Sequence, residues 1–293
     1  MTQRCRAPLL RVLGATLLAA ALSGCSTSPL ERGERVFELA STHGWQPLVL
    51  QTSNFAIQAL VPRHPRVTAN LHVYIEGDGL AWLDRQTPSF APTPADPVGL
   101  RLAMADAGAS AVYLARPCQY TFGTDFRNCH PRYWTSHRFA PELVEAMDQA
   151  LDQLQQVRGA HRLVLVGYSG GAAIAALLAA RRHDVVGLVT VAGVLDVQAW
   201  TRSQRLSVLS GSLDPRDMAP QLAGLPQWHF VGSRDRTVPP VLLDGFLRAQ
   251  RPLTADSSTA IRVHREKDFD HHCCWVQAWP AWSRSFAPAT DRH

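Results

Sequence analysis

Residues 161–180, HRLVLVGYSGGAAIAALLAA, leave this chain the fewest options. The segment opens with an unbroken apolar core, LVLV at residues 163–166. With no polar face, it suits a strand covered on both sides. It closes with a run of alanine, leucine and isoleucine that suits a buried helix. Between them stands Gly167-Tyr168-Ser169-Gly170-Gly171. So short a passage from strand to helix requires a sharp turn whose backbone runs close to its neighbours. Gly167 and Gly171, which lack a Cβ, meet that need. The turn would lift the Ser169 hydroxyl above the edge of a sheet.

The rest of the chain repeats the alternation. Residues 45–62, WQPLVLQTSNFAIQALVP, read as two strands joined at Thr52-Ser53-Asn54, an antiparallel hairpin. LHVYIEGDG at 71–79 is a buried strand running into a glycine-rich loop, and SAVYLARPCQY at 110–120 is another, stopped by Pro117. VVGLVTVAG (185–193), QWHFVGSRD (227–235) and IRVHREKDF (261–269) supply three more. Helices are expected at 98–108, at 241–250 and at 140–157, where Leu143, Met147, Leu151, Leu154 and Val157 recur at helical spacing. Such alternation argues for an α/β fold, an open and mostly parallel sheet with helices on both faces. Ligands of such sheets bind beyond the carboxyl ends of the strands. The loops that begin at Glu76, Pro117, Tyr168, Gly193, Gly232 and Asp268 therefore share one edge.

A serine raised on a turn that opens a helix has a chemical consequence. The N–H of Gly170 and the helix N-terminus face the place where negative charge would build on a substrate. Gly167 to Gly171 is G-x-S-x-G between a buried strand and a helix, the context in which that pattern marks a nucleophile. On these residues the chain resembles the α/β-hydrolases, over roughly residues 45–286. The resemblance implies a mixed sheet of about eight strands and a Ser–Asp/Glu–His set in that chain order. It also implies that no cofactor or metal is needed.

Chain order then selects the partners. Asp235 lies three residues beyond a strand end, in a D-x-x-V-P run similar to that of the family. Its rivals are Asp196, Asp214 and Asp217, of which Asp214, before Pro215, reads as a turn or capping residue. Among twelve histidines, only His271 and His272 fall in the loop after the last strand and before the last helix. The resemblance favours His271, with His272 as the rival. A second oxyanion donor is expected from Gly77-Asp78-Gly79. By resemblance it is the Asp78 N–H, with Gly79 and Leu80 as alternatives. The acidic side chain of Asp78 must then point away from the developing charge. Trp275, Trp279 and Trp282 recur at helical spacing and read as core packing of the last helix. Residues 120–138 are aromatic and basic, and either roof the site or pack on the surface.

The N-terminus bears on compartment. Residues 1–25, MTQRCRAPLLRVLGATLLAAALSGC, carry three arginines, then a short apolar run and small residues, as in a secretory signal. LSGC at 22–25 resembles a bacterial lipobox. That implies cleavage before Cys25, lipid on Cys25, and sorting, through Ser26, to the outer membrane facing the periplasm. The expected division is a lipoprotein signal peptide at 1–24, a lipidated tether at 25–44 and an α/β-hydrolase domain at 45–293. Loss of 1–24 removes three arginines and no acid, so the formal charge falls from +5 to +2. No run of basic residues then remains for nucleic acid. In an oxidising compartment, Cys118 and Cys129 are expected to form a disulfide. Cys273 and Cys274 either pair with each other or find other partners.

Asp270-His271-His272-Cys273 spells the DHHC signature of membrane palmitoyltransferases, but no further spans or cysteine-rich module accompany it. As a zinc site it fails too, since consecutive residues cannot converge on one tetrahedral ion. Two readings remain. One is a lipid-anchored serine hydrolase acting on a small or lipid-like ester or a thioester. The other is a non-catalytic envelope lipoprotein that uses the fold for binding or scaffolding. Nothing in the sequence speaks to oligomeric state.

Overall fold

The computed structural model describes residues 28–66, 68, 70–107, 110–250 and 261–286. The segment expected to be a signal peptide and lipobox, with Cys25, lies outside the described residues. An eight-stranded sheet runs in the order β1-β2-β4-β3-β5-β6-β7-β8. The strands are β1 (Trp45–Gln51), β2 (Ala56–Pro62), β3 (Asn70–Ile75), β4 (Ser110–Leu114), β5 (Arg162–Tyr168), β6 (Val185–Val191), β7 (Gln227–Gly232) and β8 (Ile261–Glu266). β1 and β2 form the expected antiparallel hairpin, and β2 pairs antiparallel with β4. Every later pairing, from β4–β3 to β7–β8, is parallel.

The helices are α1 (Pro29–Thr42), α2 (Val98–Met104), α3 (Pro141–Arg158), α4 (Gly170–Ala179), α5 (Val197–Ser203), α6 (Val241–Ala249) and α7 (Trp275–Trp282). Alternation along β5 builds two cores. Leu163 and Leu165 join α3, α4 and α6 on one face, and Val164 and Val166 join α1, α2 and α7 on the other. This two-sided burial is why β5 carries the unbroken apolar run at residues 163–166. Trp275 and Trp279 are fully buried in the second core, as their spacing suggests. α3 ends at Gly159, whose φ of 62° closes the helix in the left-handed region where glycine is favoured.

The expected tether at 25–44 does not hold for residues 29–42. Ser28 and Glu31 form a capping box, Pro29 opens the helix, and Val36 and Ala40 of α1 are buried. Polar residues on the outer face masked this amphipathic helix in the sequence. Arg32 adds a buried hydrogen bond from its Nε to the Thr93 carbonyl at 2.8 Å. The Cys118–Cys129 disulfide is present, and Cys273 and Cys274 are bonded to each other.

Candidate active site

Ser169 stands between β5 and α4 with φ 53° and ψ −119°, a strained conformation for a residue with a side chain. The surroundings hold it there. Its N–H donates to the Val191 carbonyl, and its own carbonyl accepts from Ala172 and Val194. A methyl group at Gly167 would strike the Ala172 backbone, and one at Gly171 would strike the Ile75 and Glu76 carbonyls. Glycine at both places is therefore a steric requirement, as the sequence suggested.

Asp235 follows β7 in a loop fastened to the segment that carries His271. Ser233 N–H donates to the Glu266 carbonyl at 2.8 Å and Arg234 N–H to the Phe269 carbonyl at 2.9 Å. Asp235 Oδ1 accepts from the N–H groups of Thr237 and Val238, both at 2.8 Å, which leaves Oδ2 to meet His271 Nδ1 at 2.8 Å. His271 Nε2 lies 3.0 Å from Ser169 Oγ. Because an ionised carboxylate only accepts, the ring proton belongs on Nδ1 and Nε2 is free to receive the serine proton. The His271 carbonyl accepts from Tyr168 Oη at 2.9 Å and from Trp275 Nε1 at 3.1 Å, so the ring's backbone is held on both sides. Asp270 fixes the turn by accepting from the N–H groups of His272 and Cys273, whose hydrogen bonds hold its carboxyl below the usual range.

The two adjacent histidines are thus separated by geometry. His272 is exposed and its Nδ1 lies 3.3 Å from Tyr168 Oη. Two of the rival acids have other partners, and Asp217 does not line the Ser169 cavity. Asp214 accepts from Val197, Gln198 and Arg216 N–H groups, and Asp196 caps α5. His229 is buried between Thr190 and Gln227, and burial pushes its pKa down to about 3, so it is neutral.

A cavity of about 470 Å³ opens at Ser169, lined among others by Asp78, Arg138, Trp82, Trp200 and His271. Gly77 N–H is taken by Glu76 Oε1 at 2.9 Å, while the N–H groups of Asp78 and Gly170 have no partner among the described residues. The Asp78 carboxylate lies between Nη1 of Arg116 and Nη1 of Arg138. Burial would raise its pKa, but the two guanidinium groups outweigh this and hold it below the usual carboxylate range. Neither arginine was singled out in the sequence. The signal was present in two forms: an acidic Asp78 needing a counter-charge, and a cation at Arg116 closing an otherwise apolar strand. Gln119 ties the same loops together, with Nε2 on the Gly77 carbonyl at 2.9 Å and Oε1 accepting from Arg116 N–H at 3.0 Å. Most of the aromatic stretch at 120–138 packs rather than roofs. Tyr120, Tyr133 and Trp134 are buried, and Arg138 is its contribution to the cavity.

Glu76, the residue after β3, is fully buried, and burial pushes its pKa up to about 7. Its Oε1 also accepts from Gly99 N–H at 3.2 Å.

No family model matches the chain, and no curated protein matches it. Solved structures do. An esterase of Pyrococcus furiosus superposes with a TM-score of 0.56 at 10% identity, over 82% of this chain and 88% of that one. A 2,6-dihydroxy-pseudo-oxynicotine hydrolase gives 0.55 at 16% identity, over 87% and 70%. An acylaminoacyl peptidase of Pyrococcus horikoshii gives 0.56 at 13% identity, over 82% of this chain and 39% of that one. At these identities the likeness concerns the fold, and the chain has the α/β-hydrolase fold.

Proposed function

We propose that this protein is a serine hydrolase that cleaves a carboxylic ester or thioester through an acyl-enzyme on Ser169. One observation carries the reading: Ser169 Oγ, His271 and Asp235 form a continuous relay, with contacts of 3.0 and 2.8 Å, at the mouth of a cavity. In the proposed reaction, His271 Nε2 takes the proton of Ser169 as Oγ attacks the substrate carbonyl carbon. The N–H groups of Gly170 and Asp78 receive the negative charge that develops on the carbonyl oxygen. When the intermediate collapses, the bond to the alcohol or thiol breaks and His271 returns its proton to that leaving group. Water, deprotonated by His271, then releases the acid. Asp235 keeps the imidazole in the right tautomer and stabilises its charged form. Arg116 and Arg138 neutralise the Asp78 carboxylate, so that the loop presents an N–H rather than a negative charge.

The neighbours with this fold include an esterase and peptidases. We favour an ester on the strength of the apolar side chains at the cavity, Trp82, Trp200 and Leu206. The signal-like residues 1–24 and the lipobox ending at Cys25 support a lipoprotein anchored in the bacterial envelope, on the periplasmic side of the outer membrane. Purified wild type should hydrolyse p-nitrophenyl esters of graded acyl length, and Ser169→Ala should not. Equal turnover by the two proteins, or none by folded wild type across the panel, would reject the enzyme and favour a binding lipoprotein.

A further inference from the structure

Beside the Ser169 cavity lies a second cleft of about 600 Å³, and the two share Trp82, Arg138 and Leu206 in their walls. The wall of the second cleft is of two kinds. One is apolar: Leu206 and Val208 are 47% and 74% exposed and Trp82 39%, with Leu209 beside them. Large apolar side chains gathered in a surface concavity mark a place that a ligand covers.

The other kind is cationic. Arg85, Arg138 and Arg205 line the cleft against a single carboxylate, Asp84, whose Oδ1 is occupied by the N–H groups of Gln86 and Thr87. Arg85 and Arg205 have no ion-pair partner among the described residues. Arg138 is buried. Its Nε donates to the Thr135 carbonyl and its Nη1 to Asp78, but its Nη2 has no partner among the described residues. Asp78 serves both Arg116 and Arg138, so this buried group keeps an excess of positive charge beside both cavities. A guanidinium poorly reached by water gains most from an oxyanion that it can fork. Arg205 adds a conformational clue. It follows α5 with φ 53°, a left-handed position where glycine is the usual occupant, yet it carries a cation at the cleft.

We propose that this cleft is the subsite for the far end of the substrate, an apolar arm that terminates in an anionic oxyacid group. The arm lies along Trp82, Leu206, Val208 and Leu209, and the anion is held by Arg85, Arg205 and Nη2 of Arg138. That the bound molecule is a substrate rests on the hydrolase reading above; that it binds does not.

The test compares p-nitrophenyl esters of matched length: hexanoate to decanoate, ending in methyl, against the half-esters of adipate to sebacate, ending in carboxylate. Phosphate-ended esters of the same lengths form a third arm. In the full chain, kcat/KM should favour an anionic end about tenfold, mainly through KM, and the preference should shrink as salt is raised. The better of the two anionic arms identifies the oxyacid. The double variant Arg85→Gln/Arg205→Gln should lose the preference and keep its activity on methyl-ended esters. Equal use of neutral and anionic ends by wild type, or an intact preference in the double variant, overturns the subsite. Calorimetric titration of Ser169→Ala with monomethyl sebacate and dimethyl sebacate separates this proposal from the hydrolase reading. Tighter binding of the monoanion, abolished by the two arginine substitutions, supports the subsite even where no ester is cleaved. Equal binding of both esters overturns it even where hydrolysis is rapid.

Discussion

Among the described residues, two buried histidines each meet an aspartate whose side chain is buried, and only one of the pairs adjoins a serine. His271 Nδ1 lies 2.8 Å from Asp235 Oδ2 at the carboxyl edge of the sheet. His72 Nδ1 lies 2.7 Å from Asp106 Oδ2, with His72 in the amino-terminal half of β3 and Asp106 just past α2. The second pair is at least as well buried. However, Asp106 Oδ2 also accepts from Tyr74 Oη at 2.7 Å, and Tyr74 Oη accepts from Trp279 Nε1 at 2.8 Å, so that network binds β3 to the last helix. No serine meets the other ring nitrogen of His72 among the described residues. A buried histidine–aspartate contact is thus in itself a structural staple. Ser169 and the open cavity are what make one of the two a candidate for chemistry.

That contrast yields graded predictions. His271→Ala should lower kcat/KM on any accepted ester by about a hundred-thousand-fold while leaving the circular dichroism spectrum unchanged. His272→Ala, tested beside it, should retain at least a substantial part of wild-type turnover. Asp235→Asn should lower kcat by about a thousandfold to ten-thousandfold, because the amide favours the wrong imidazole tautomer. The corresponding lesion at the other pair should reverse the pattern. Asp106→Ala should destabilise the fold by about 3 kcal/mol in urea titrations, since it strands two buried donors, yet keep kcat within about twofold. Loss of activity in the stable fraction of that variant would make the two pairs alike and break the comparison.

The smallest effect belongs to Glu76, beside the site but without a counter-charge that cancels its burial. Its pKa is pushed from 4.5 to about 7, so the folded state binds its proton more tightly than the unfolded chain does. Stability contributed by the protonated form is complete below pH 4.5, declines as pH rises through the window, and is lost above about pH 7. Glu76→Gln should flatten that decline and stabilise the protein at pH 8 by about 1–2 kcal/mol, read from urea midpoints across pH. A variant with the same slope as wild type would place the pH dependence elsewhere.

How far the sequence alone discloses this site follows from where its information is local. The turn at Gly167–Gly171 is legible because strand, turn and helix are contiguous and each glycine answers a nearby backbone. Asp235 is legible from its strand end and chain order. His271 and His272 are not separable in sequence, because adjacent residues share every local signal. The choice depends on the ties from Ser233 and Arg234 to the His271 segment and on the bonds to the His271 carbonyl. Arg116 and Arg138 lie 38 and 60 residues from Asp78, so their pairing emerges only when the β3–α2 and β4–α3 connections meet at one sheet edge. α1 stays hidden for a different reason: half of its residues are polar, and its buried stripe of Arg32, Gly33, Val36 and Ala40 is narrow and only half apolar. The short α5 (Val197–Ser203) has too few residues for a periodic signal.

The central claim, that the Ser169–His271–Asp235 relay activates Ser169, is tested most directly by labelling the folded protein with a fluorophosphonate and mapping the adduct by mass spectrometry. The account predicts a single adduct on Ser169, formed rapidly in wild type, strongly slowed in His271→Ala and absent in Ser169→Ala. No adduct on folded wild type, or an adduct that forms equally well without His271, would contradict it.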